Sequence, residues 1–224
     1  MSLMMILKTY GGMLLEGMGQ TLLMTLLTLL IAIVIGMIFG LMNVGHNRFF
    51  NMIGTIYVDA VRGVPLIVLA YFVFFGVPMA IQKMGFADFR WSALQAGTIA
   101  LSMNCGAYMA EIIRAGIESV DRGQMEASRS LGLSYSASMA LVVVPQAVRT
   151  MIPSIINQFI ITLKDTSILS VISFPELTLR GKTIVGNTFN PLLGWGIVGV
   201  MYMVVIITLS KIAKKIERRV NRGR

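Results

Sequence analysis

The chain has 224 residues, 56% hydrophobic and 13% charged, against about 25% charged in soluble domains; its mean hydropathy is +0.78. That composition excludes a soluble domain and indicates an integral membrane protein, so the formal net charge of +9 reads as membrane orientation and lipid contact rather than affinity for nucleic acid. One cysteine, Cys105, excludes an intrachain disulfide, and one histidine, His46, leaves no cluster for a metal; no cofactor is expected.

Lys8 and Glu16 are the only charges before Gly17, and Gly17 to Gly45 is 29 residues without a charge. That is too long for a signal-peptide core of about 7–15 residues and ample for a span of about 20. A first transmembrane helix is therefore expected over 18–42, followed by a polar loop at His46, Asn47 and Arg48. A second span is expected over 56–79. Asp59 and Arg62 stand at i,i+3 spacing in its first turns, close enough that they could pair, and Gly63-Val64-Pro65-Leu66 should bend or loosen the helix. After a polar loop from Lys83 to Arg90, Trp91 takes the place of an interfacial anchor and opens a third span over 91–113. Asn104, Tyr108 and Glu111 recur there at i, i+4 and i+7, which stacks them on one face. A polar stripe in a membrane helix faces protein or water rather than lipid; hydrogen bonding between helices and a ligand site both account for it.

Hydropathy alone misleads in the next stretch. Ser130 to Val148 is 19 residues without a charge. Counting it as a span separates the seven basic residues of the tail (Lys211, Lys214, Lys215, Arg218, Arg219, Arg222 and Arg224) from Arg114, Arg122 and Arg129. Leaving it out gives five spans and gathers both groups on one side, as the positive-inside rule prefers. Ser130, Gly132, Ser134, Ser136 and Ser138 also dilute the stretch, so 115–149 is expected to be a cytoplasmic loop of surface helices. The fourth span, expected over 151–172, carries Lys164 and Asp165 about 20 Å from its start. A charge at that depth costs roughly 2.5–3.5 kcal/mol on insertion scales and needs a partner, a cavity or a ligand. Phe174 to Pro191 is expected to be a non-cytoplasmic connection. Its Gly181-Lys182-Thr183 looks like the end of a phosphate-binding loop, but that pattern needs glycine where Glu176 stands, so no ATP binding is expected. A fifth span is expected over 192–209, with the basic tail resting on anionic lipid at about 1 kcal/mol per cation.

The stretch from Gly123 to Pro145 places Glu126, Ala127 and Ser128, then Gly132 four residues after Ser128, then Val142, Val144 and Pro145. A short helix needs small residues to lie flush in a partner's groove, Gly132 permits a turn with positive φ, and a second short helix is expected to end near Pro145. This order resembles the cytoplasmic loop of ABC importer permeases, whose pattern is E-A-A, three residues, G, nine residues, I-x-L-P; Ser128, Val142 and Val144 are mild departures. Three further blocks resemble the polar amino acid uptake permeases. They are Arg62-Gly63-Val64-Pro65-Leu66, where Val64 replaces the usual Thr, then Ala107 to Arg114, and Lys164-Asp165-Thr166-Ser167 followed by Pro175-Glu176-Leu177.

The resemblance implies an all-α integral membrane protein of five transmembrane helices with a cytoplasmic helix-turn-helix coupling loop, not an enzyme on its own. A separate cytoplasmic ATP-binding subunit would dock on Gln124, Glu126, Ala127, Ser128 and Gly132. An extracytoplasmic solute-binding protein would deliver a small polar amino acid, and a second permease copy or paralogue would complete the pathway. Lys164, Asp165, Thr166, Ser167, Asn104 and Glu111 are the expected substrate-binding residues, Lys164 for the carboxylate and Asp165 for the ammonium. The blander alternative is that Lys164 and Asp165 neutralise each other or pair with Glu111 and Arg62. The expected location is the cytoplasmic membrane of a prokaryote, N-terminus outside and C-terminus inside. Two other classes compete: an ion- or proton-coupled secondary transporter with Lys164, Asp165 and Glu111 as a relay, and a structural membrane anchor. No internal inverted repeat supports the first, and the second leaves the Lys164–Asp165 pair without a purpose.

Overall fold

The computed structural model describes residues 2–45 and 47–221, with side chains as far as residue 217. His46, Arg222 and Arg224, and the side chains of Arg218 and Arg219, lie outside the described residues. Eight helices are described: α1 (Leu3–Val44), α2 (Arg48–Gly63), α3 (Leu66–Lys83), α4 (Ala93–Glu118), α5 (Arg122–Ser130), α6 (Tyr135–Ile172), α7 (Leu177–Thr188) and α8 (Pro191–Asn221).

The uncharged run in α1 belongs to a longer helix than the expected 18–42. It is 42 residues long, about 63 Å at 1.5 Å per residue, roughly twice the 30 Å hydrocarbon core of a bilayer. It begins at Leu3 because its first turns have partners: Ile6 and Leu14 are fully buried in a cluster with Leu177 and Ile184 of α7 and Val198 of α8, and Glu16 pairs with Arg180 at 3.0 Å. Further along, α1 packs against α4 over its length. A Cβ on Gly36 would come within 2.5 Å of Met109 Cβ, and one on Gly40 within 2.9 Å of the Ala110 carbonyl oxygen. These two small residues, one turn apart, let the backbones approach as membrane helices do.

The segment expected as one span over 56–79 is two helices. α2 ends at Gly63, Val64 is extended at φ −104° and ψ 131°, and α3 starts at Leu66. Pro65 forces this, since it lacks an N–H and pushes its predecessor out of the α region. The i,i+3 pair of Asp59 and Arg62 does not form either; Arg62 reaches across to Glu111 on α4, at 3.9 Å.

α1, α3, α6 and α8 are long and apolar enough to cross a membrane by length and composition, and α4 is not among them. Gln95, Thr98, Ser102 and Asn104 dilute it, yet Ala96, Ala100, Leu101, Cys105, Ala107 and Met109 are all buried. Its surroundings are the other helices, so it has less need of an apolar exterior. A capping box between Ser92 and Gln95 starts it, and it runs to Glu118, past the expected 113.

The expected loop over 115–149 is occupied by the end of α4, by α5 and by the first part of α6. The second helix of that loop does not end near Pro145. It passes through a π-helical turn at Met139–Val143, where Val144 N donates to Met139 O, and continues α-helical to Asp165. α3 has the same device at Phe72–Gly76 before Pro78. In each case the widened turn precedes the proline by two residues, accommodating a ring that would clash with an ordinary turn and a missing donor. Past Asp165 the helix tightens to 3₁₀ over Thr166–Ile172. The connection to α8 then contains α7, and α8 continues well past the expected 209.

Candidate functional site

A cavity of about 530 Å³ lies where α2 breaks off against α4 and α6, lined among others by Arg62, Pro65, Asn104, Tyr108, Gln158 and Asp165. Each wall has a local cause. The Val64-Pro65 interruption ends α2 one residue after Arg62, so that side chain is presented at the end of a helix. Asn104 and Tyr108 are one turn apart on α4, and Gln158 and Asp165 are seven residues apart on α6, which places each pair on one face. The Arg62 guanidinium sits 5.1 Å from the centre of the Tyr108 ring, a cation–π distance. Gln158 is buried and its Nε2 faces Cys105 Sγ at 3.9 Å. Asp165 is half-buried at the point where the α-helix gives way to 3₁₀.

A second, more polar cavity of about 390 Å³ adjoins Arg62 from the other side and is lined by Asn43, Asn51, Asp59, Glu111, Arg114 and Glu118 among others. Arg62 borders both. Glu111 accepts from Arg114 Nε at 3.2 Å and Arg114 also pairs with Glu118.

Of the residues expected at the substrate site, Asn104 and Asp165 meet in the first cavity, and Glu111 lies in the second, joined to it through Arg62. Lys164, Thr166 and Ser167 line neither. Lys164 is exposed, Ser167 half-buried, and Thr166 is fully buried with its Oγ1 donating to Leu163 O at 2.7 Å. Sequence reasoning missed Arg62 and Gln158 as lining residues. Gln158 was legible as a polar residue inside an apolar span, on the same face as Asp165; Arg62 was legible as a charge able to reach across helices, but only as an ion-pair partner and not as a lining residue.

The expected docking segment is built around one turn. Asp121 caps α5 by accepting from Gly123 N at 2.7 Å. At the other end Gly132 has φ +92°, Gly132 N donates to Arg129 O and Leu133 N to Ser128 O, the two bonds of a Schellman cap. Nothing lies within 4 Å of a Cβ built on Gly132, so glycine is required by φ and not by space. Ser134 then caps α6 through Ala137 N. Ser128 is buried and donates to Met125 O, and Met125 packs on the cluster of Ile117, Val143, Ala147 and Met151. Gln124, Glu126 and Ala127 are exposed, as is Leu131, at 86%.

At the opposite end of α6, Glu176 is fully buried and caps α7. Its Oε1 accepts from Leu179 N at 2.7 Å, and its Oε2 from Thr178 N at 2.7 Å and Tyr202 Oη at 2.8 Å. Burial pushes its carboxyl pKa up, against the pull of those bonds.

Residues 32–222 match the family described as binding-protein-dependent transport system inner membrane component. The chain is 37% identical over 169 residues to the glutamine transport system permease protein GlnP of Escherichia coli K12, which covers 75% of each. It is 34% identical to the probable glutamine ABC transporter permease protein GlnM of Bacillus subtilis over 94% of each, and 35% identical to that organism's arginine transport system permease protein ArtQ over 92% of this chain and 91% of the other. Among solved structures it resembles a chain of an amino acid ABC transporter crystallised with histidines, at TM-score 0.89 and 34% identity, covering 98% of this chain and 99% of that one. The inward-facing MetNI methionine ABC transporter shares the fold at TM-score 0.79 and 20% identity, covering 95% of this chain and 98% of that one.

Proposed function

The chain belongs to the family of binding-protein-dependent transport system inner membrane components, and from that premise we infer how it carries its cargo. It is the permease of an ABC importer for amino acids, and an ion-coupled relay is not favoured. The observation that carries the reading is that Arg62 and Asp165 border one cavity together with Asn104. Every free amino acid presents a carboxylate and an ammonium. Arg62 offers a forked, permanently charged donor to the carboxylate, in the role expected of Lys164, and Asp165 takes the ammonium. Asn104, Tyr108 and Gln158 meet the remaining polar atoms. Glu111 holds Arg62 from the far side, and the 3₁₀ turn begun by Thr166 and Ser167 sets the position of Asp165. Lys164, outside the cavity, faces whatever flanks α6.

In this reading five units cross the membrane: α1, α2 with α3, α4, α6 and α8. The Gly132 turn lies in the cytoplasm, with the N-terminus outside and the C-terminus inside. The support is that Arg114, Arg122, Arg129 and the α8 lysines then share one side, as the positive-inside rule prefers. A separate ATP-binding subunit docks on Gln124, Glu126, Ala127 and the Gly132 turn, with Ser128 seating α5 from beneath. A solute-binding protein delivers the amino acid on the other side, and a second permease copy or paralogue completes the pathway.

The test is uptake into vesicles containing the assembled transporter, supplied with ATP and no ion gradient. Wild-type uptake is expected under those conditions, and its absence until a gradient is imposed refutes the ATP-driven reading. The paired variant Arg62→Gln with Asp165→Asn should assemble and still support ATP hydrolysis but lose uptake. Normal uptake by that variant removes the cavity from the pathway.

A further inference from the structure

Arg62 borders two cavities, and they follow one another along the same pair of helices. From α2 and the break after it, the first cavity takes Arg62 to Leu66, while the second takes Asn51, Thr55, Val58, Asp59 and Arg62. From α4 the first takes Asn104 and Tyr108, the second Glu111, Arg114 and Glu118. The second cavity therefore lies on the Glu118 side of Arg62, close in the chain to Asp121, which caps α5. Asn51, Thr55 and Asp59 recur at intervals of four on α2, and Glu111 and Glu118 are seven apart on α4. Each helix thus turns a polar stripe toward this space.

The charges in the second cavity are unevenly matched. Both carboxylate oxygens of Glu111 accept from Arg114, and Glu118 pairs with Arg114 as well. Arg62 is tethered rather than fixed: it stands 3.9 Å from Glu111, beyond hydrogen-bond reach, and rests over the Tyr108 ring. Among the described residues, neither Asp59 nor Asp165 has an ion-pair partner. The second cavity therefore repeats the first, with a guanidinium that has donors to spare, an unpaired carboxylate and neutral polar groups. Asn43, Asn51 and Thr55 stand here where Asn104 and Gln158 stand there. Its volume of about 390 Å³ falls within the range of about 300–1,000 Å³ usual for small-molecule sites.

We propose that the second cavity is a weaker site for the same free amino acid, whose carboxylate stays on Arg62 while its ammonium passes from Asp165 to Asp59. This rests on the reading of the first cavity as the amino acid site. Because the two cavities share one guanidinium, only one of them is filled at a time. The forked donor set of Arg62 suits a carboxylate arriving from either side. The weaker hold follows from charge. Asp59, Glu111 and Glu118 outnumber Arg62 and Arg114 around the second cavity, which disfavours the carboxylate, whereas Arg62 and Asp165 balance in the first. A second site that binds loosely lets the amino acid leave toward the Gly132 side.

The test uses the purified transporter with Thr55→Cys, at an exposed position lining the second cavity; the native Cys105 is buried. Binding of an equimolar mixture of radiolabelled L-amino acids is measured together with the rate at which a methanethiosulfonate reagent modifies this cysteine. With Asp165→Asn, binding should weaken about thirtyfold or more, and the residual binding should slow modification of Thr55→Cys with the same half-saturating concentration. Adding Asp59→Asn should abolish both the residual binding and the protection, while Asp59→Glu, which keeps a carboxylate, should retain them. Asn51→Cys reports on the same cavity if Thr55→Cys does not assemble. Protection that survives Asp59→Asn overturns the proposal, as does equal protection by n-propylamine, which brings no carboxylate to Arg62. Weakened binding in Asp165→Asn with no protection at saturating amino acid also overturns it and leaves the first cavity's role standing. Undiminished binding in Asp165→Asn instead refutes the reading of the first cavity, and the second site falls with it.

Discussion

The two ends of α6 depart from α-helical geometry in opposite senses. Before Pro145 the helix widens to a π turn at Met139–Val143, and after Asp165 it tightens to 3₁₀ at Thr166–Ile172. Between them Val144–Asp165 is α-helix of 22 residues with Pro153 inside it, about 33 Å. The wide end adjoins an exposed turn whose important residues are close together in sequence. The tight end opens on a cavity whose residues come from three helices. One helix therefore joins a surface made locally to a cavity made by convergence.

The largest expected effect is at the convergent end. Arg62→Gln or Asp165→Asn alone leaves the opposite charge facing the substrate unmatched, a loss of about 2–5 kcal/mol, or thirtyfold and more in affinity. Lys164→Gln, outside the cavity, should change affinity by less than about fivefold, in line with surface charges worth up to 1 kcal/mol. Binding of radiolabelled amino acid to the purified transporter separates them, and equal losses for Lys164 and Arg62 would erase the contrast between cavity and flank.

At the local end the effect is smaller and of another kind. Gly132→Ala and Gly132→Val both force a side chain into φ +92° with no neighbour to clash with, a strain of about 1–3 kcal/mol. Both variants, and Glu126→Ala, should insert normally yet lose stimulation of ATP hydrolysis, while amino acid binding in the cavity stays near wild type. Full stimulation in all three would detach the turn from coupling.

A weaker effect is expected beyond the 3₁₀ end. The carboxyl pKa of Glu176 is raised from its ordinary 4.5 mainly by burial, so the folded protein holds this proton more tightly than the unfolded chain. Its contribution to stability is fully present below the unfolded pKa and is lost as pH rises through the folded one. Thermal melts of the detergent-solubilised chain should therefore show a small fall in Tm over that window, absent in Glu176→Gln. An identical pH slope in the variant would mean another group titrates there. The mildest change leaves function alone: Ser134→Cys should react only with reagent admitted to the cytoplasm and Lys83→Cys only with external reagent. Labelling of Ser134→Cys from outside would reverse the placement of the Gly132 turn.

What the sequence by itself determined is what depends on neighbours along the chain. The uncharged runs, the break at Val64-Pro65, the positive φ at Gly132 and the i,i+4 stacking of Asn104 and Tyr108 all follow from helix periodicity and single-residue backbone limits, and all were legible. Tertiary structure decided what depends on neighbours in space. α1 extends back to Leu3 because α7 and α8 bury Ile6 and Leu14. α6 runs through Pro145 because a π turn accommodates the ring within a packed segment. Arg62 turned to Glu111 and Tyr108 instead of Asp59, and Lys164 fell outside the cavity that its neighbour Asp165 borders. Adjacent residues on a helix diverge by about 100°, so a charged pair read from the sequence names two directions, and only the packing of the other helices selects which one faces the cavity.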